Sequence, residues 1–248
     1  MRTLILGLLF CAIAWVPQAH ASEGGGFMRH VKVDVADKAA LQRGARDFAN
    51  YCMGCHSLSY VRYLQLEKPL GLSQDDIKKY LIFNGVKVGD PMVSSMPAAL
   101  AAKWFGKAPP DLTDEVRVRG TDWLYTYLTG FYLDKARPTG VNNVVFPNVG
   151  MPDVVENLQG AQVPEYKEIT APDGTKEKVI VGLKQVSPGS MTPEQYHHWV
   201  RDIVTFLAWT AEPNKLEREH LGVWIVLLMI LFSVVAYFLK KAYWEDIH

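Results

Sequence analysis

Two cysteines and a histidine lie within five residues of each other, in the sequence CMGCH at positions 52–56. The chain has three cysteines, and the remaining one, Cys11, lies in an apolar stretch near the N-terminus. Two cysteines are too few for a four-cysteine zinc site, so zinc would need histidines as its other ligands. Three interpretations of CMGCH therefore remain: a structural disulfide, a redox-active dithiol, or the covalent attachment of a haem.

Geometry and context favour haem attachment at this segment. A disulfide closing so short a loop would stabilise the fold little. A thioredoxin-type dithiol opens a helix after a buried strand, whereas the residues before Cys52 have a helical pattern. In a helical turn, positions i, i+3 and i+4 share one face, so Cys52, Cys55 and His56 can meet the same flat macrocycle. The segment therefore predicts one covalently bound haem c, with thioethers at the two cysteines and His56 as an iron ligand.

An electron-transfer haem also needs a sixth iron ligand, because two strong protein ligands keep the coordination nearly unchanged between oxidation states. The candidates are methionines and histidines: Met92, Met96, Met151, Met191, His197 and His198. Met96 and Met151 stand out, since each lies in a loop segment and is followed by proline. Gly150 would also let the backbone approach the ring closely. Spacing alone does not choose between these two methionines.

The two ends of the chain predict export and membrane anchoring. Residues 1–21 combine Arg2, the apolar run LILGLLFCAIAW and the small residues of AHA, which is typical of a cleaved signal peptide. The alternative is a short N-terminal membrane anchor. Residues 221–239 are uncharged and long enough to cross a bilayer as a helix. We therefore expect the haem domain in the periplasm at 22–213, an anchor in the inner membrane at 214–243 and a cytoplasmic tail at 244–248.

Composition and local patterns indicate the fold between these ends. Acidic and basic residues balance at 26 each, so net charge gives no sign of nucleic-acid binding. Helix formers and caps predict four helices: from Asp37 to the cysteines, from the capping box Ser73–Asp76 to Asn84, over 121–130 with Thr121 or Asp122 as cap, and from Thr192 through residue 210.

The intervening segments complete this picture. Residues 86–113 and 132–160 have no sustained periodicity and are predicted to be long loops that wrap the haem. Residues 163–186 are predicted to form a two-stranded surface insertion that turns at 172–174. The expected fold class is mainly α: a cytochrome c-like haem domain with long loops and a small β insertion, plus one C-terminal transmembrane helix.

The ordered motifs resemble those of the cytochrome c1 family, the haem subunit of the cytochrome bc1 complex, ubiquinol:cytochrome c oxidoreductase. The resemblance covers essentially the whole chain after the predicted signal peptide. The CxxCH pattern alone identifies only haem c, whereas small soluble cytochromes c lack the full set. That set is CMGCHS, APPDLT at 108–113, RGTDWLYTYLTGF at 119–131, PTGVNN at 138–143, VGMPDV at 149–154, DIVTFLAWTAEP at 202–213, and a single C-terminal span.

The resemblance implies roles for individual residues. Met151 matches the family's axial methionine, which decides against Met96, and Pro110 matches a proline that packs on the haem. The family's arginine that pairs with a haem propionate falls at Arg119 or Arg117, because this sequence is one residue shorter at that point. Arg119 is preferred, and a propionate in a partly dry pocket would need such a bidentate cation.

The resemblance also implies a function and partners. One haem c would take single electrons from the Rieske iron–sulfur protein and pass them to cytochrome c. Cytochrome b and membrane lipid would contact the anchor, the complex would be dimeric, and the isolated chain would not be an enzyme. Trp123 and Tyr125 are candidates for the haem pocket or for core packing. The alternatives are a haem enzyme or gas sensor with an open sixth position, an anchored cytochrome c of another complex, and a dithiol oxidoreductase.

Overall fold

The structure, a computed structural model, describes residues 27–170 and 176–245. The predicted signal peptide, the turn at 172–174 and the last three residues of the predicted tail lie outside this range. The α-helices are α1 (Lys38–Tyr51), α2 (Glu67–Leu70), α3 (Gln74–Tyr80), α4 (Ala98–Phe105), α5 (Glu115–Arg119), α6 (Thr121–Thr129), α7 (Glu156–Gln159), α8 (Pro193–Ala211) and α9 (Lys215–Tyr243). The strands are β1 (Leu58–Arg62), β2 (Pro91–Met92), β3 (Phe131–Leu133), β4 (Val141–Asn143), β5 (Gln162–Thr170) and β6 (Lys176–Gln185), and a 3-10 helix spans Tyr63–Leu66.

Helices α1 and α8 cross at very short range and form the centre of the core. A Cβ atom on Gly44 would overlap the backbone carbonyl of Asp202, so only glycine allows this approach. Phe48 and Phe206 pack beside the crossing, with ring centroids 5.8 Å apart. Arg43 donates two hydrogen bonds, of 2.6 and 3.1 Å, to the buried carboxylate of Asp202. The crossing therefore fixes the helix that leads into CMGCH.

Local capping explains where these two helices begin. The Asp37 side chain accepts a hydrogen bond from the backbone N–H of Ala40 at the start of α1. At the start of α8, Thr192 and Gln195 form a reciprocal capping box and Pro193 occupies the first turn. Both helix starts confirm the sequence-based predictions.

Three local predictions were wrong in part. Helix α3 has the predicted capping box at Ser73 but ends at Tyr80, before Asn84. Helix α6 has no side-chain cap, because the carboxylate of Asp122 instead accepts the backbone N–H of Val31 at 2.8 Å. The two segments predicted to be long loops contain short elements: α4, of which only Ala101 is buried, lies in 86–113, and β4 and α7 lie in 132–160.

The sheets are small. Strands β1 and β2, β3 and β4, and β5 and β6 form three two-stranded antiparallel sheets. The β5–β6 pair runs in register from Gln162 with Gln185 to Thr170 with Lys176, and most of its residues are exposed. This pair confirms the predicted β insertion. The helices, together with these small sheets, confirm the mainly α fold class.

Helix α9 includes the apolar run 221–239 and is the one helix of the described residues that is long and apolar enough to cross a membrane. None of its residues is buried against the rest of the chain. Its apolar surface therefore needs lipid or a partner protein around it.

Candidate haem site

The CMGCH segment forms a tight turn at the end of α1. The backbone N–H groups of Cys55 and His56 both donate to the carbonyl of Cys52, at 3.1 and 2.8 Å. These are i to i+3 and i to i+4 contacts, so the two thiols and the imidazole project from one helical turn, as their spacing predicts. Both thiols are free in the structure and half-buried.

The environment of the first thiol is unsuited to a dithiol oxidoreductase. Burial raises the pKa of Cys52 to about 12. A redox-active dithiol instead needs a stabilised thiolate with a lowered pKa, usually at the start of a helix. Here the pair follows the end of a helix.

The imidazole of His56 is held in one orientation by the loop after α4. Its Nδ1 lies 2.8 Å from the backbone carbonyl of Pro110, and because a carbonyl only accepts, Nδ1 carries the proton. The Nε2 atom is then left with its lone pair, as an iron ligand requires. Burial lowers the pKa of His56, which also favours the neutral ring.

The loop that carries Pro110 is itself anchored beside CMGCH. The carboxylate of Asp111 accepts the backbone N–H of Ser59 at 2.8 Å and that of Thr113 at 2.9 Å. The backbone N–H of Leu112 donates to the carbonyl of Ser57 at 2.9 Å. The APPDLT motif therefore fixes the histidine through its backbone.

Met151 lies in the loop between β4 and α7. It packs against a small apolar cluster, and the hydroxyl of Tyr127 donates to its sulfur at 3.4 Å. A Cβ on Gly150 would lie 3.1 Å from the carbonyl of Phe105, so the glycine here allows a close approach to the end of α4. The other members of the apolar cluster are Phe131, Val141 and Val149.

Asparagine side chains fix the shape of this loop. Asn148 has a positive φ of 65°, a conformation that asparagine tolerates better than most residues. Its backbone N–H donates to the side chain of Asn142 at 2.8 Å. Arg137 donates to the side chain and the carbonyl of Asn148, at 3.0 and 3.2 Å.

Asn143 joins the same loop to α6. It is 1% exposed, and its amide donates to the carbonyl of Tyr127 at 2.8 Å. Its side-chain oxygen accepts the backbone N–H of Val145 at 3.1 Å. One buried side chain therefore ties the helix that carries Tyr127 to the segment that leads to Met151.

The guanidinium of Arg119 and the buried indole N–H of Trp123 lie close together where α5 is followed by α6. The guanidinium carbon of Arg119 lies 4.4 Å from the ring centroid of Trp123, and Arg119 also donates to Glu115 at 2.7 Å. Within the described residues, the indole N–H of Trp123 is buried with no hydrogen-bond partner. Arg117 points to solvent. A buried N–H beside a guanidinium fits an anionic group such as a haem propionate.

The other residues considered as ligands or pocket residues have different surroundings. Met92 is fully buried in the short β1–β2 sheet. Tyr125 lies on the opposite face of α6 from Tyr127, and its hydroxyl lies 2.7 Å from Nδ1 of His197 on α8. Sequence reasoning missed Tyr127, although its i+4 spacing from Trp123 places both rings on one helical face.

Comparison with known proteins identifies the family. The Cytochrome C1 family matches residues 27–90 and 84–247. The chain belongs to the cytochrome c1 family. This confirms the resemblance found in the sequence, and it makes the chain a haem-containing electron-transfer subunit of the cytochrome bc1 type.

Two of the relatives match the whole chain and a third matches most of it. Cytochrome c1 of Allochromatium vinosum is 46% identical over 249 residues, covering 100% of both chains. A Nitrosomonas europaea protein named ammonia monooxygenase gamma subunit is 40% identical over 248 residues, covering 100% of this chain and 99% of that protein. A Bradyrhizobium diazoefficiens protein named cytochrome b/c1 is 27% identical over 243 residues, covering 86% of this chain and 34% of that protein.

Proposed function

We propose that this cytochrome c1 chain carries single electrons from the Rieske iron–sulfur protein to cytochrome c through one covalently bound haem c. The observation that carries the proposal is the buried His56, whose Nδ1–H is fixed by Pro110 within one turn of two free cysteines. Family membership supports the same cofactor.

Each proposed contact uses a residue whose surroundings suit it. Cys52 and Cys55 would form the thioethers, His56 would bind iron through Nε2, and Met151 would supply the opposite ligand through its sulfur. Cys52 packs against the main hydrophobic cluster and Met151 against the smaller one. When bound, haem c supplies a one-electron ferric/ferrous couple, so the chain needs to break no bond during transfer.

The choice of Met151 and Arg119 rests on their neighbours. Met96 follows Ser94, whose hydroxyl donates to Gly54 at 2.9 Å, so its loop is attached to the histidine side of the site. Met151 contacts Tyr127 of α6, and its loop is held by Asn142 of β4, which accepts the backbone N–H of Asn148. A thioether opposite an imidazole raises the reduction potential, because it favours ferrous iron. Arg119, beside the buried Trp123 N–H, is the better propionate partner than the exposed Arg117.

The proposed setting is the inner membrane, with the haem domain in the periplasm and the C-terminus in the cytoplasm. Residues 1–21 would direct export and then be removed, and α9 would span the bilayer once. Lys240 and Lys241 at the end of the apolar run fit the cytoplasmic side. Lipid and cytochrome b would surround α9 within a dimeric complex.

Replacing the proposed axial ligand tests the function most sharply. In Met151→Leu we expect covalent haem to remain, the sulfur-to-iron charge-transfer band to disappear and the midpoint potential to fall markedly. The matched control is Met96→Leu, the other loop methionine before proline, which should keep the band. Loss of the band in Met96→Leu alone would contradict the ligand assignment. Carbon monoxide binding by the unmodified ferrous protein would favour a haem enzyme or gas sensor.

Purification of the intact complex tests the partners. A C-terminal tag on the full chain, extracted in mild detergent, should bring down cytochrome b and the Rieske protein, and quinol should then reduce added cytochrome c. The name of the Nitrosomonas relative suggests a different assembly for that protein. Recovery of a complex without cytochrome b would contradict the proposed partners.

A further inference from the structure

The hydroxyl of Tyr127 donates a hydrogen bond to the sulfur of Met151 at 3.4 Å. The two residues are 24 positions apart and come from different elements, α6 and the loop after β4. Methionine has three rotatable side-chain bonds, so apolar packing alone fixes its sulfur poorly. A directional donor restricts the sulfur to a smaller set of positions.

The phenol of Tyr127 is itself firmly placed. Its ring stacks on Trp123 with centroids 5.1 Å apart and planes 17° apart. The ring of Phe131 contacts the Tyr127 ring edge to face, with centroids 5.2 Å apart. The Tyr127 carbonyl accepts the buried amide of Asn143 at 2.8 Å. The hydroxyl therefore reaches Met151 from a rigid support.

A hydrogen bond to a ligand sulfur changes the balance between iron oxidation states. The bond withdraws electron density from the thioether, and ferric iron depends on that density more than ferrous iron does. We propose that Tyr127 is a positioning residue that orients the Met151 sulfur and raises the reduction potential through this hydrogen bond. The proposal rests on the proposed function, in which Met151 is an iron ligand.

The helix supplies a matched control for this bond. Tyr125 and Tyr127 are two residues apart on α6, so their side chains lie on opposite faces. The hydroxyl of Tyr125 pairs with His197 on α8, away from Met151. Tyr→Phe at either position removes one partly buried hydroxyl from the same helix, but only one of the two changes removes the contact with sulfur.

The test compares Tyr127→Phe with Tyr125→Phe in the full-length, haem-loaded chain. For Tyr127→Phe we expect covalent haem and the charge-transfer band to remain, with the band displaced. We expect the equilibrium ratio of ferrous to ferric haem, measured at a fixed potential, to fall by up to about tenfold, which is the effect of losing one hydrogen bond. This corresponds to a midpoint potential lower by about 59 mV for a one-electron couple. Tyr125→Phe should leave the potential unchanged. Equal potentials in the two variants would overturn the proposal.

A second comparison separates the hydrogen bond from a general effect on the pocket. In a Met151→His background there is no thioether sulfur to accept the bond, so adding Tyr127→Phe should leave the potential nearly unchanged. A drop as large as in the native background would overturn the proposal, because the effect would not pass through sulfur. If Met151→Leu keeps its band, the axial assignment itself fails. If Met151→Leu loses the band but Tyr127→Phe matches Tyr125→Phe, only the role of Tyr127 fails.

Discussion

The two proposed iron ligands of this chain are held by different kinds of structure. His56 follows Cys52 by four residues, in a turn closed by backbone bonds of 3.1 and 2.8 Å. Met151 lies in a loop positioned by side chains of α6 and β4, and its sulfur meets a donor 24 positions away. The histidine side is therefore set mainly by local sequence, and the methionine side by tertiary contacts.

This difference means that the two sides can fail separately. In the proposed site, two covalent links and a helix end hold the histidine side. The methionine side has only packing and hydrogen bonds, each worth about 1 kcal/mol net. Damage to the tertiary contacts should release the methionine while the haem stays attached. Damage to the motif should remove the cofactor altogether.

The largest effect should come from removing both thioether positions. In Cys52→Ser with Cys55→Ser, covalent haem should be lost completely, because no sulfur remains in the motif to form the links. Haem staining after denaturing electrophoresis measures this. Cys11→Ser is the control, since that cysteine lies in the predicted signal peptide, and it should stain normally. Normal staining of the double variant would contradict the attachment sites.

A smaller effect should follow from forcing apart the helices that support the motif. In Gly44→Ala, the new methyl group would overlap the Asp202 carbonyl and the Phe206 side chain. We expect a loss of about 3 kcal/mol in the free energy of unfolding, since backbone cannot move away easily. Denaturant melts of the detergent-solubilised protein measure it. Gly89→Ala is the control, because a Cβ there meets nothing within 4 Å. Equal stability of the two variants would rule out the close crossing.

The smallest effect should be confined to the methionine side. Asn143→Ala would leave the buried Val145 N–H without its acceptor, at a cost of about 1–3 kcal/mol, and the Tyr127 carbonyl would keep only the Gly130 N–H of its two donors. The charge-transfer band should then disappear at a lower denaturant concentration, while haem remains covalently attached. Asn50→Ala removes an exposed amide that donates to the helix carbonyl of Arg46, and it should behave as the native chain. Simultaneous loss of both signals would argue that the two sides are not independent.

The same contrast explains which parts of the fold the sequence could predict. Helices α1 and α8 were predicted with their caps because Asp37 and Thr192 act on residues three positions away. The β5–β6 insertion was predicted from short-range alternation and turn residues. Local patterns also indicated the CMGCH turn and the long apolar run within α9.

Features that depend on distant partners could not be predicted in this way. Thr121 or Asp122 was expected to cap α6, but neither does, and the carboxylate of Asp122 accepts the backbone N–H of Val31, 91 residues earlier. The Pro110 carbonyl meets His56 across 54 residues, and the Asn143 amide meets Tyr127 across 16. Helix α4 was missed in a segment predicted to be a loop; it is eight residues long and buries only Ala101. The family resemblance, not spacing, distinguished Met151 from Met96.

Peptide mass analysis of the native, full-length chain tests the central claim most directly. The fragment that contains residues 52–56 should carry the mass of one haem, with fragmentation placing it on both Cys52 and Cys55. A fragment with two free thiols or with an internal disulfide, isolated from the membrane-bound native protein, would contradict the account.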